Sequence, residues 1–267
     1  MALLQAVIFD WAGTIVDYGS RGPVAAIVEA FRRQNVPITV DQVRGPMGLA
    51  KREHLRALLE SPSVRSSWRD ARGTSPTDRD LDQLYEKFLP LQREVLADYC
   101  ELIPGVLATV AHCRAREMRV GTTTGYTRAL MTPLIAATQQ QGFEPDAVVT
   151  ADDVPQGRPA PWMCLEAARQ LNVYPMRSIV NVDDTEVGIA AGLNSGMWSV
   201  AVTKSGNAVG LSQQEIESLE FGRRTERLRC AYERFHKCGA HYVIDTVAEL
   251  PQVLERIESR LGSGERP

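Results

Sequence analysis

Ala6-Val7-Ile8-Phe9-Asp10-Trp11-Ala12-Gly13-Thr14 is the stretch whose reading decides the fold. Its first four residues are all apolar and leave no polar position for solvent, as in a strand buried on both faces. The run ends in a carboxylate, Asp10, followed by a glycine-containing turn. A carboxylate there stands beside backbone N–H groups able to hold phosphate oxygens, which makes Asp10 a candidate nucleophile. Taken alone, the same pattern also describes an aspartate that caps a turn.

Similar apolar runs recur at residues 118–122, 147–150, 179–182 and 198–202, and helical periodicity fills residues 130–139 and 162–171. Strands alternating with helices of this length predict an α/β fold with a doubly wound parallel sheet. One interval breaks the alternation. Between residues 22 and 100 only helical periodicity is present, at 24–34, 46–59 and 78–99. Turn signals separate these segments at Asn35-Val36-Pro37, Ser61-Pro62-Ser63 and Gly73-Thr74-Ser75-Pro76. An all-helical block just after the first strand predicts a cap over the carboxyl edge of the sheet, where open α/β sheets bind ligands. The expected division is a core of residues 1–20 and 101–267 with a helical cap domain of residues 21–100. Ser212-Gln213-Gln214-Glu215 is a capping box that starts a later helix.

The 267 residues carry a net charge of −3, which gives no electrostatic case for nucleic acid or an anionic membrane. Arg223-Arg224-Thr225-Glu226-Arg227 interleaves acid with base and reads as a solvated helix face. Five cysteines, an odd number without CxxC spacing, argue against a disulfide framework or structural zinc and for reduced thiols. No stretch approaches the ~20 apolar residues of a membrane span, and the N-terminus lacks the basic segment of a signal peptide. A cytoplasmic location is expected.

Two further strand ends and one loop carry chemistry. Asn181-Val182-Asp183-Asp184-Thr185 places paired acids at one of them. Adjacent carboxylates repel and persist most easily where a divalent cation neutralises them; magnesium prefers such oxygen ligands. Solvated loop acids would look the same. Thr122-Thr123-Thr124-Gly125-Tyr126 offers a hydroxyl and a glycine N–H to a phosphate oxygen, and Gly157-Arg158-Pro159 offers a guanidinium for bidentate phosphate binding. Each of these two is weak alone.

Together the four features, in the order nucleophile, threonine, cation and acid pair, resemble the haloacid dehalogenase superfamily, and the resemblance covers nearly the whole chain. That superfamily's usual first motif has a second aspartate two residues after the nucleophile, which protonates an alkoxide leaving group; this chain has Ala12. The departure makes sense if phosphorus leaves carbon. A carbanion needs an electron sink, and a lysine condensed with a neighbouring aldehyde supplies one. The candidate lies in Met47-Gly48-Leu49-Ala50-Lys51-Arg52-Glu53-His54, where helical spacing would stack Met47, Lys51 and His54 on one face. Arg52, Met47 and partial burial would bring the Lys51 pKa toward ~7–8; a solvated helix lysine is the plainer reading of the same residues.

The wider phrases are similar to the phosphonoacetaldehyde hydrolase family of that superfamily. They are residues 9–14 with Val16-Asp17-Tyr18-Gly19, residues 47–54, 123–128 and 153–163, and Asn194-Ser195-Gly196-Met197-Trp198. The resemblance implies Asp10 as nucleophile and Lys51 as Schiff-base residue. It implies Mg2+ held by Asp10, the Ala12 carbonyl and Asp184. Thr124, Gly125 and Arg158 would bind phosphate, and Met47, His54 and Tyr126 would line the aldehyde site. It also implies a homodimer and a role in 2-aminoethylphosphonate degradation. Some relatives carry a further aspartate where this chain has Gly188, which leaves the part of Asp183 in metal binding open, and some carry a cysteine where it has Ser20. The alternatives are a phosphatase of the same superfamily acting on another small phosphonate or phosphate ester, and a signalling module marked by a long-lived phospho-Asp10.

Overall fold

The computed structural model describes residues 3–267. A strand of four apolar residues, β1 (Ala6–Phe9), begins the sheet. Val7 and Phe9 enter one apolar cluster, while Ala6 and Ile8 enter another on the opposite face. Side chains alternate faces along a strand, so an uninterrupted apolar run means burial on both sides.

The other strands are β2 (Arg119–Thr123), β3 (Ala147–Val149), β4 (Ile179–Asp183), β5 (Trp198–Val202) and β6 (Tyr242–Ile244). They form one parallel sheet in the order β3-β2-β1-β4-β5-β6. β1 lies between β2 and β4, so Asp10, Thr124 and the acid pair end three adjacent strands at the same edge. The doubly wound parallel fold expected from the sequence is present, with one strand more. β6 escaped the sequence reading because it is three residues long, only half-buried, and lies at the sheet margin.

Residues 22–96 hold five helices, α1 (Gly22–Arg32), α2 (Val40–Arg44), α3 (Lys51–Glu60), α4 (Pro62–Arg72) and α5 (Asp78–Leu96). They surround their own apolar cluster, in which Leu55, Leu58 and Phe88 join an edge-to-face contact of Phe31 with Trp68, 6.5 Å between ring centres. Fully burying such a side chain is worth about 1.5–3 kcal/mol, so the block has a core of its own. Two expectations are corrected here. Ser61-Pro62-Ser63 is not a plain turn: Ser61 ends α3 and Pro62 opens α4, where a missing N–H costs nothing. The helix expected over 46–59 begins only at Lys51, because Gly48 has φ +92° and Ala50 is extended.

The remaining helices are α6 (Val106–Ala115), α7 (Arg128–Gln140), α8 (Trp162–Leu171), α9 (Glu186–Asn194), α10 (Gln213–Ser218), α11 (Phe221–Lys237) and α12 (Leu250–Gly262); α6, α7 and α12 pack on the sheet face of Val7 and Phe9, and α8 and α9 on that of Ala6 and Ile8. The Ser212–Glu215 capping box forms as expected. Among the described residues no helix is long and apolar enough to cross a membrane.

Candidate active site

Asp10 follows β1 directly and is fixed by its own amide, which donates to the Val182 carbonyl at 2.8 Å. Asp183 ends β4 and Asp184 follows it. One carboxylate oxygen from each of the three acids lies within 4.8 Å of the others, and all three are buried. Burial, with Asp183 nearby, pushes the Asp10 pKa up to about 7 against the opposing pull of Arg158. Burial and the Asp10 and Asp183 charges likewise raise Asp184 well above the carboxylate range. Three crowded acids that resist ionising together are a site that a divalent cation would relieve.

The two members of the acid pair differ. Asp183 Oδ1 accepts from the Thr185 amide at 2.9 Å and its hydroxyl at 2.7 Å, and Oδ2 faces Arg158 Nη2 at 3.1 Å. Asp184 Oδ2 accepts from the Asn207 amide at 2.7 Å, while Oδ1 is buried without a partner. Asp183 Oδ2 also lacks a hydrogen bond but has the Arg158 cation beside it; a buried orphan carboxylate oxygen with no cation is costly, so Asp184 Oδ1 is the atom that fits a metal ion best. Magnesium, a hard cation that takes oxygen donors, suits this set, with Asp10 and Asp184 as holders and Asp183 turned toward Arg158. Gly188 explains that turn. A Cβ there would stand 2.0 Å from the Asp183 carboxyl carbon, so the missing side chain is what gives the Asp183 carboxylate its space.

Arg158 is not an exposed loop residue. It is 4% exposed, with Nη1 2.7 Å from Asp10 Oδ1 and Nη2 donating to the Thr123 hydroxyl at 2.8 Å. Burial alone would lower its pKa, but Asp183 and Asp10 hold it firmly cationic. Thr124 Oγ1 accepts from the Tyr126 amide at 3.2 Å, turning the chain at the end of β2 so that Thr124, Gly125 and Tyr126 all face the site.

Lys51 comes down onto this edge from the helical block. It is 4% exposed, and its Nζ lies 5.0 Å from the centre of the Tyr126 ring. Burial lowers its pKa to about 8, opposed by Asp10 and assisted by Arg158. The expected neighbour, Arg52, takes no part; it turns out to pair with Asp82 at 2.6 Å. Asp10, Ala12, Ser20, Met47, Lys51, Thr124, Gly125, Tyr126, Arg158 and Asp184 line one pocket. The amine of the block and the carboxylate of the sheet thus share a cavity, whose volume open to the centre of a water molecule is only about 20 Å3. That is room for one or two waters.

Met47 reaches the pocket, but not from the helix that carries Lys51, so the expected stack of Met47, Lys51 and His54 on one helical face does not form. His54 is a second departure. It is fully buried, Nε2 donates to the Val43 carbonyl at 2.8 Å, and it is not among the pocket-lining residues. Burial and the Lys51 charge push its pKa down to about 3, so the ring is neutral. Nε2 carries the proton, which leaves Nδ1 as a buried lone pair without a partner. The sequence reading missed Asn207. Its position in the loop after β5, at the same carboxyl edge, was the available signal.

The chain matches the haloacid dehalogenase-like hydrolase family model over residues 4–196. It is 45% identical to a phosphonoacetaldehyde hydrolase of Paraburkholderia phytofirmans over 267 residues, all of both chains. It is also 45% identical to one of Bacillus cytotoxicus, covering 96% of this chain and 97% of the other. A crystal structure of a phosphonoacetaldehyde hydrolase-like protein from Oleispira antarctica superposes with a TM-score of 0.97 at 38% identity, over 99% of this chain and 96% of that one.

Proposed function

The chain belongs to the haloacid dehalogenase-like hydrolases and, within them, to the phosphonoacetaldehyde hydrolases, and from that premise we propose that it hydrolyses the carbon–phosphorus bond of phosphonoacetaldehyde to acetaldehyde and phosphate. The observation that carries this reading is the meeting of Lys51 with Asp10 in one pocket, with Ala12 where an ester phosphatase needs an acid. With Arg158 already placed to hold phosphoryl oxygens, ester hydrolysis needs no further amine, least of all one whose pKa burial lowers to about 8. Beside an aldehyde such an amine has a task.

In the proposed sequence, neutral Lys51 Nζ attacks the aldehyde carbon and water is lost, giving an iminium. An Asp10 oxygen then bonds to phosphorus as the phosphorus–carbon bond breaks, and that electron pair moves into the iminium to leave a neutral enamine. Protonation of the enamine at carbon and hydrolysis of the resulting imine release acetaldehyde and free Lys51. Water hydrolyses the aspartyl-phosphate. Arg158 holds Asp10 before substrate arrives and would transfer Nη1 to a phosphonate oxygen, with Thr124 and Gly125 binding another. Mg2+ held by Asp10, Asp184 and the Ala12 carbonyl would supply neutralisation of the phosphonate charge. Met47 and Tyr126 would enclose the aldehyde; His54, one layer behind, would pack the wall.

Residues 21–100 act as the cap in this reading and residues 1–20 with 101–267 as the core. We further propose a cytoplasmic homodimer working in 2-aminoethylphosphonate degradation.

Borohydride reduction of the protein with phosphonoacetaldehyde, followed by peptide mapping, tests the chemistry. The label is expected on Lys51, and Lys51→Ala should lose both label and turnover. Undiminished activity of Lys51→Ala, or equal turnover of simple phosphate esters, would replace this reading with that of a phosphatase of the same family.

A further inference from the structure

Arg44, the last residue of α2, leaves the helical block and enters the core. Its Nη1 donates to the Gly19 carbonyl at 3.0 Å and to Asn207 Oδ1 at 2.9 Å, and its Nη2 donates to the Gly210 carbonyl at 2.9 Å. Asn207 Nδ2 answers by donating to the Arg44 carbonyl at 3.2 Å. These partners lie in two core segments: the point where the chain leaves the sheet for the block, and the loop after β5. The same Asn207 gives its backbone amide to Asp184 Oδ2 at 2.7 Å, and both residues are buried. One loop residue therefore holds the block with its side chain and a carboxylate of the acid cluster with its backbone.

We infer that Arg44 is a positioning residue which, through Asn207, couples closure of the cap to the aim of the Asp184 carboxylate. The inference rests on the proposed reading of residues 21–100 as a cap and of Asp184 as a cation ligand. A pocket with space for only one or two waters cannot admit a substrate of seven heavy atoms unless the cap lifts. Lifting draws Arg44 out of its carbonyl nest, and Asn207 loses both contacts that hold its side chain. The amide that fixes Asp184 Oδ2 is then free to shift, and Asp184 Oδ1, the unpartnered oxygen, shifts with it. Closing restores both. Cation binding and closure must then favour each other equally, since a coupling free energy acts in both directions. Arginine is required because its planar fork reaches the Gly210 carbonyl with one nitrogen while the other holds Gly19 and Asn207; a lysine ammonium is a single point and cannot span them.

The test uses the full chain and no substrate. Magnesium is titrated calorimetrically into wild type, Arg44→Ala, Arg44→Lys, Asn207→Ala and the double Ala variant. Hydrogen exchange at residues 47–51 is followed with and without magnesium. Arg44→Ala and Asn207→Ala are each expected to weaken magnesium binding about 5- to 10-fold and to remove the magnesium-dependent protection of residues 47–51. The double variant should be no worse than Arg44→Ala, because both act through one link. Arg44→Lys should recover part of the affinity. Thermal midpoints in chelator are expected to stay near wild type, which a purely structural role would not allow.

Wild-type magnesium affinity in Arg44→Ala, or additive losses in the double variant, overturns the inference. Should Arg44→Ala fail to fold, Asn207→Ala decides, since unchanged magnesium affinity there overturns it equally. No magnesium binding by wild type overturns the inference together with its premise. Because no phosphonate enters the assay, a wrong substrate assignment would leave the titration intact and appear only in turnover.

Discussion

Lys51 is almost wholly buried beside a tyrosine ring, and burial is the main reason its pKa falls to about 8 from 10.5. Lowering an amine's pKa means that the neutral, nucleophilic form is populated earlier as pH rises. The rate of borohydride-trappable imine formation should therefore climb with pH and level off above about 8. Asp10 and Asp184 both act to raise that pKa, so a cation that neutralises them should move the midpoint down, and chelator should move it back up. A midpoint near the ordinary lysine value, under both conditions, would show that the amine is not desolvated at all. The stability linkage has a definite sign. Between about pH 8 and 10.5 the unfolded chain holds a proton that the folded chain has released, so the cost of burying Lys51 is lifted as pH rises through that window. At the other pole of the pocket, Asp10→Asn should lower phosphate release by about 10^4-fold or more while leaving imine trapping in place. Loss of trapping in that variant would mean that the two residues do not act in separable steps.

At the scale of elements, the end of β4 and the first turn of α9 are fitted to each other. The Asp183 carboxylate occupies the space that a side chain at position 188 would claim, 2.0 Å from where its Cβ would lie. Gly188→Ala should therefore force one element to move, costing about 1–3 kcal/mol and lowering Tm by several degrees. It should also weaken the Arg158–Asp183 contact and with it kcat. Exchanging the pair, Asp183→Gly with Gly188→Asp, should recover more activity than either single change allows. Two additive losses would mean that the sites are independent.

That fit was invisible in the sequence, where Gly188 reads only as a missing acid. Long apolar runs such as those of β1, β4 and β5 were legible because burial on both faces leaves them no polar residue. The two short elements without such a run, β6, half-buried at the sheet margin, and α2, which buries only Val43, carry too little pattern to register. Pro62 marks a helix start and a turn with the same letter, so α4 was lost. Asp10, Lys51, Arg158 and Asp184, which line one pocket, could be picked out as candidates because each is a chemically costly residue at a strand end or beside a family phrase. The place of Met47 could not, because one glycine with positive φ, Gly48, breaks the helix on which its spacing was counted, nor could that of His54, whose ring is taken up by the Val43 carbonyl.

Across the whole molecule the helical block keeps a hydrophobic cluster of its own, and beside Lys51 it meets the sheet edge closely at glycines. A Cβ on Gly48 would lie 2.4 Å from Thr185 Oγ1 and 2.6 Å from Val187, and one on Gly125 would lie 2.6 Å from the Leu49 carbonyl. Such clearances let the two halves close almost completely over Lys51. A single methyl at position 48 should act as a wedge, made worse by the φ of +92° that alanine tolerates poorly. Gly48 lies outside every helix and outside the hydrophobic clusters, so neither the block nor the sheet should suffer much; the expected cost in Tm is a few degrees. The closed form should suffer far more. Gly48→Ala is predicted to raise KM and lower kcat together, by about tenfold or more in kcat/KM, because closure both assembles the pocket and excludes water. It should also speed labelling of Lys51 by an amine reagent such as trinitrobenzenesulfonate in the absence of substrate. Those two effects moving together would tie turnover to closure. Full activity with unchanged Lys51 labelling would mean that the contact between block and sheet yields easily, and that the tightness of the pocket has no part in catalysis.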